Sequence, residues 1–107
     1  MAKQQQDITA IIYDKRGNVL SIGKNSYTKT HPMQARYAKL AGPEYSAHNY
    51  AFIHAEVSAI IRCTELNKAH RISIFRVRKD GSYGLAKPCQ ACAIAIQKAG
   101  IEIVEHT

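Results

Sequence analysis

The spacing of apolar positions divides the chain into short strands and a few helices. Ile8 to Tyr13 is an apolar, β-branched run closed by Asp14-Lys15-Arg16-Gly17-Asn18, which has turn chemistry. Val19 to Ile22 resumes as a strand, so the two predict an antiparallel hairpin. Gly23-Lys24-Asn25-Ser26 leaves it. Thr30-His31-Pro32 interrupts regular structure, because the residue before a proline is pushed out of the helical region. Met33, Tyr37 and Leu40 then fall at helical spacing and predict a short helix over 33–40, ended by Gly42-Pro43. Tyr45, His48, Tyr50 and Phe52 follow in a polar loop dense in aromatics.

His54 to Leu66 reads as the first main helix. Val57, Ile60, Ile61 and Thr64 form its core stripe, widened by Ala59, Cys63 and Leu66. Arg71 to Arg78 alternates, with Ile72, Ile74 (or Phe75) and Val77 set against Arg71, Ser73, Arg76 and Arg78, and predicts a strand. Lys79-Asp80-Gly81-Ser82 holds an Asp-Gly hairpin signal, and Tyr83 to Ala86 is a short return strand. Pro88 suits a helix start. Cys89 to Ala99 is the second main helix, with Cys89, Cys92, Ala93 and Ile96 on one face and Gly100 as its stop. Ile101 to Val104 is the last strand. Strands alternating with helices give an α/β domain of two or three layers. No repeat, low-complexity segment or linker divides the 107 residues, so one domain over 1–107 is expected.

Composition narrows the setting. Hydrophobic residues make up 46% of the chain, enough for one core. No apolar run approaches the ~18 residues of a membrane span. The Gln-rich stretch from Met1 to Asp7 has no signal-peptide pattern, so a cytoplasmic location is expected. Three cysteines argue against a disulfide framework, and a C-x-x-C pair in such a chain points to metal or redox chemistry. The net charge of +7 suits an anionic partner, either a phosphorylated small molecule or a nucleic acid. A merely basic, soluble surface is the plainer reading of the same number.

The chemistry lies at the heads of the two main helices. Cys89 and Cys92, three residues apart at a helix start, aim two thiols at one spot. The helix N-terminus lowers thiol pKa there and favours the thiolates that zinc needs. A redox pair shares this spacing, but a zinc-type His54-Ala55-Glu56 also occurs. His54 offers an imidazole and Glu56 a carboxylate. Residues i and i+2 face apart in mid-helix, so both approach one metal only if the motif sits on the helix's first turn. Structural zinc sites close with four protein ligands, whereas catalytic ones keep a position for water. His54, Cys89 and Cys92 as three ligands, with Glu56 beside them, therefore predict a Zn2+-dependent hydrolase with Glu56 as general base and then general acid.

The double motif His54-Ala55-Glu56 and Pro88-Cys89-Gln90-Ala91-Cys92 resembles the cytidine deaminase-like superfamily of zinc-dependent nucleobase and nucleotide deaminases. The likeness runs from Ile8 to Val104. It is strongest to the deoxycytidylate deaminase type, over residues 54–60, over Pro88 to Ile96, and at Gly100-Ile101. The resemblance implies a three-layer sandwich around a mixed β-sheet, truncated at both ends. Set against the family pattern, the chain is expected to lack the helix before the first strand and the fifth strand and last helix, and to carry an inserted basic hairpin at Lys79-Asp80-Gly81. It also implies substrate-binding roles for Asn25 after the second strand and for the backbone N–H of Ala55, which would donate to the base carbonyl. His31, Tyr27, Tyr50 and Tyr83 are candidates for stacking or phosphate contact. Cys63 reads as a small core residue.

The first functional expectation is hydrolytic deamination of a cytosine-type base in a free nucleoside or nucleotide, dCMP-like, with the positive charge favouring a phosphorylated substrate. The rival is a deaminase of bases within single-stranded DNA, RNA or tRNA, with Arg71, Arg76, Arg78, Lys79 and Lys87 as the basic track. A third reading is a non-catalytic, zinc-stabilised binding module. An open sheet edge in a short domain favours a homo-oligomer.

Overall fold

The computed structural model describes residues 7–26, 28–42 and 52–107. β1 (Asp7–Tyr13) and β2 (Val19–Lys24) form the expected antiparallel hairpin. Its turn is held by Asp14, whose Oδ1 accepts from the N–H groups of Arg16 and Asn18 at 2.9 Å each. Gly17 takes φ +86° there, a conformation that side-chain-bearing residues resist. β3 (Arg71–Val77) runs antiparallel on the other side of β1. Beyond β3, the two-residue β4 (Tyr83–Gly84) pairs antiparallel with its end, and β5 (Ile103–His106) pairs parallel with its beginning. The result is a five-stranded mixed sheet in an α/β fold.

Register decides which face is core. Ala10 lies opposite Gly23 and Ile74, and Ile12 opposite Ser21 and Ile72, and all of these are buried. Helix α2 (Ala55–Arg62) lies on this face, and α3 (Gln90–Lys98) packs beside it. Helix α1 (Pro32–Ala41) packs chiefly on α3. The opposite sheet face carries Ile11, Phe75 and the half-exposed Ile22 and Ile103. No helix among the described residues covers it, so the three described helices do not make up the expected third layer.

Several boundaries differ from the sequence expectation. α2 stops at Arg62 instead of Leu66. Cys63 leaves the helical region at ψ 109°, its N–H turns back to Ile60, and a 3₁₀ turn at Leu66–Lys68 follows. Thr64, expected in the stripe, is exposed. β5 begins at Ile103 because Ile101 is buried at the end of α3, with its N–H bonded to the Ile96 carbonyl. On α3 the buried stripe is Ala91, Cys92, Ala95 and Ile96, and Ala93 faces solvent. On α1 the buried positions are Gln34, Ala38 and Ala41, one step round from the expected Met33, Tyr37 and Leu40. Leu40 is 55% exposed. Both α1 and α3 bury alanines, and short side chains let two helices approach closely. Among the described residues no helix is long and apolar enough to cross a membrane.

The seating of α2 on the sheet is unusually close. A methyl group built on Gly23 would overlap the backbone nitrogen of Ala59 and lie 2.5 Å from the Ala55 carbonyl oxygen. One residue pair down the strand, the buried Ser21 hydroxyl donates to the Ala59 carbonyl at 2.7 Å. A bare strand backbone and one hydrogen bond thus fix the height and direction of the helix that carries His54, Ala55 and Glu56 at its start.

Candidate metal centre and active site

Two helix N-termini converge. His54 is the N-cap of α2 and Cys89 the N-cap of α3, both with extended backbone, and neither side chain caps its own helix. Their side chains turn toward each other instead. His54 Nδ1 lies 3.6 Å from Cys89 Sγ and 3.3 Å from Cys92 Sγ. One donor atom from each of the three residues falls within 4.8 Å of the others. A tetrahedral zinc ion with ordinary bond lengths needs nitrogen–sulfur edges of about 3.6 Å. The nitrogen and the two thiols therefore fit zinc in both chemistry and spacing. The positive ends of both helices add to the preference for thiolates here.

Glu56 occupies the first turn of α2, two residues after the cap, where His54 and a first-turn carboxylate can face one point. It is 6% exposed. A side-chain hydrogen bond links it to the Cys92 thiol. Burial pushes its carboxyl above the usual range, and the nearby His54 partly offsets this. A carboxyl raised by burial at the edge of a cleft has the proton affinity an acid–base group needs. The two thiols divide their protons unequally. The hydrogen bond from Cys92 draws Cys89 down to about 4. Cys92, donating that bond and buried, is pushed well above its ordinary value. Burial opposes charge on His54, but the hydrogen bond and charge of Cys89 outweigh it and raise the imidazole.

His54, Glu56 and Cys89 border a hollow of about 290 Å³ lined also by Asn25, Phe52 and Ala55, with Ser26, Leu85 and Lys87 on its wall and Cys92 buried behind it. Of the residues singled out for substrate binding, Asn25 and Ala55 are on this wall. Asn25 also accepts from the Ile8 N–H at 3.1 Å, which ties the end of β2 to the start of β1. His31 is not on the wall: its Nδ1 accepts from the Met33 N–H at 3.1 Å and caps α1. Tyr27 and Tyr50 lie outside the described residues, and Tyr83 is exposed on β4. Of the expected basic track, only Lys87 borders the hollow. Arg71 is on the opposite sheet face, bonded to Glu105 at 2.9 Å and stacked 4.3 Å above the Tyr13 ring.

A family profile for the cytidine and deoxycytidylate deaminase zinc-binding region matches residues 1–106. The chain belongs to that family. Comparison with curated proteins gives no match. The deaminase family and the clustered His54, Cys89 and Cys92 together make this a zinc-binding deaminase domain.

One residue near the deaminase site has no signal in the sequence pattern. Gln34 is fully buried, and its Oε1 accepts from the His54 backbone N–H at 3.1 Å. It lies 20 residues earlier, on another helix, and a lone glutamine in a helix reads as surface. Its Nε2 has no hydrogen-bond partner among the described residues, so the side chain is held at the cost of one unpaired donor. Gln34→Leu keeps much of the volume and removes the acceptor. It is expected to loosen zinc by about tenfold, the low end for groups that orient a metal ligand. Competition against a chromogenic chelator measures this; unchanged affinity would show that Gln34 only fills space.

Proposed function

We propose that residues 1–107 work as one deaminase domain that hydrolyses the exocyclic amine of a cytosine-type base in a free nucleoside or nucleotide, dCMP being the first candidate. The observation that carries this reading is Glu56 on the wall of the same hollow as the His54–Cys89–Cys92 cluster. His54, Cys89 and Cys92 hold the zinc, which when bound acidifies water and supplies the nucleophile at neutral pH. Glu56 takes a proton from the attacking water and delivers it to the ring nitrogen, first base and then acid. One water is consumed, the amine leaves as ammonia, and a carbonyl replaces it. The Ala55 N–H donates to the base carbonyl and Asn25 meets the sugar. Burial of Glu56 and the hollow's small volume keep bulk water from the proton path.

A second reading, deamination of a base within single-stranded nucleic acid, is supported by the net charge of +7. An ammonia-release screen of zinc-loaded protein over dCMP, dCTP, cytidine, adenosine and oligonucleotides separates the two. Release from dCMP or cytidine is expected. Release from oligonucleotides alone would overturn the free-nucleotide reading in favour of the second, and release from none would overturn both.

A further inference from the structure

Cys89 stands at the end of a stretch without regular structure. Residues 85–89 join β4 to α3, and Leu85, Ala86, Lys87 and Cys89 all border the hollow. Neither a helix nor a ladder runs through this stretch, so its course depends on how its two ends are tied. One end is α3. The other is Gly84, in a strand of only two residues. So short a strand is below the usual length and sets a path poorly by itself.

Thr107 supplies the tie. β3 shares one edge between two neighbours, parallel β5 along residues 71–74 and antiparallel β4 at residues 76 and 77. Thr107 follows β5 and sits at the joint between them. Its N–H donates to the Ile74 carbonyl at 3.0 Å and so prolongs the parallel ladder. Its hydroxyl accepts from the Arg76 N–H at 3.1 Å and donates to the Gly84 carbonyl at 2.6 Å. Arg76 and Gly84 are opposed in the β3–β4 pairing, so one hydroxyl bridges the two strands at that pair. The Thr107 carbonyl oxygen accepts from the Ala86 N–H at 2.8 Å. Ala86 is buried on the wall of the hollow, three residues before Cys89. The Arg76 side chain lies over Gly84, where an added methyl group would meet its Cδ at 3.0 Å. Among small side chains only Ser and Thr both accept and donate through one oxygen. Without the hydroxyl, the Arg76 N–H and the Gly84 carbonyl lose a partner, and the two strands must shift to find another.

We infer that Thr107 is a positioning residue for the metal centre: it sets the course of residues 84–88, and through them the place of the Cys89 thiolate opposite His54 and Cys92. It rests on the reading of His54, Cys89 and Cys92 as zinc ligands and on nothing about the substrate. A residue 18 positions after Cys89, outside both motifs, thereby governs a ligand it does not touch.

The test replaces zinc by Co2+, whose visible bands follow ligand identity and geometry, and measures zinc affinity by competition against a chelator. Thr107→Val keeps the shape of the side chain and removes both bonds of the hydroxyl. Its thiolate-to-cobalt and ligand-field bands should move from those of the parent, and zinc should bind about tenfold more weakly, the lower end for groups outside the ligand set. Thr107→Ser keeps the hydroxyl and should restore both the bands and the affinity. Gly17→Ala, strained at the far end of the β1–β2 hairpin, should lose stability in urea yet keep the parent's bands and affinity, which separates lost stability from lost positioning. Should Thr107→Val not fold, Thr107→Ala takes its place against the same rescue. The inference is overturned if the variant without the hydroxyl keeps the parent's bands and affinity, if Thr107→Ser fails as badly, or if Gly17→Ala disturbs the metal site equally. Each of those outcomes leaves the zinc reading standing. A parent protein that binds neither metal would overturn the zinc reading and this inference with it.

Discussion

Glu56→Gln should leave one zinc ion per chain in place and lower the rate of deamination by about 10³-fold, the middle of the range for a positioned acid–base group. Glutamine keeps the shape of the side chain and one carbonyl acceptor. It loses only the ability to take a proton from water and hand it to the ring. The Glu56 side chain is buried beside Cys92 and faces the hollow, so little else changes. Stability should not fall, because a buried charge is replaced by a neutral amide. Zinc content by atomic emission and single-turnover product formation are the two measurements. Activity within tenfold of the parent would remove Glu56 from the chemistry and require a different acid–base group. Loss of zinc with the activity would make Glu56 a ligand and require a different base.

How far the site was legible in the sequence follows from where its residues sit. His54 with Glu56, and Cys89 with Cys92, are local pairs at helix starts, and local spacing carries their geometry. Two helix heads bearing complementary donors are enough to predict their convergence. Gln34 was not legible, because its role exists only once α1 lies beside the start of α2. Arg71, by contrast, looked available in the sequence and is occupied by Glu105 and Tyr13. Hydrophobic periodicity also misplaced the buried face of α1, since alanines carry too little apolar area to outweigh Leu40 in a pattern yet pack where helices come close. The strand pattern fared better. β1 and β3 run side by side over their whole length, and alternation reports burial directly when one face is covered.

Gly23→Ala tests the contact on which the position of α2 depends. Among the described residues, the buried polar side chains are Ser21, Gln34 and Glu56. Ser21 bonds the middle of α2, Gln34 bonds its cap, and Glu56 is in its first turn. The fold thus spends its buried polar groups on this one helix, and Gly23 supplies the matching close approach. At an ordinary strand position alanine would be tolerated or would help, because it restricts the unfolded chain. At Gly23 the added methyl meets the backbone of Ala55 and Ala59, which cannot rotate away as a side chain would. The loss of stability should reach about 3 kcal/mol or more, the upper part of the range for overpacking. Gly17→Ala adds the same methyl into open space at φ +86°, and there the cost is backbone strain of about 1 kcal/mol. Urea titrations of both variants at fixed excess zinc separate the causes. Gly23→Ala should have the far lower midpoint, and the surviving folded fraction should show reduced turnover because Ala55 and Glu56 ride on the displaced helix. Equal midpoints for the two variants would mean that α2 is not seated backbone to backbone on β2, and that something other than Gly23 holds the Glu56 carboxylate in place.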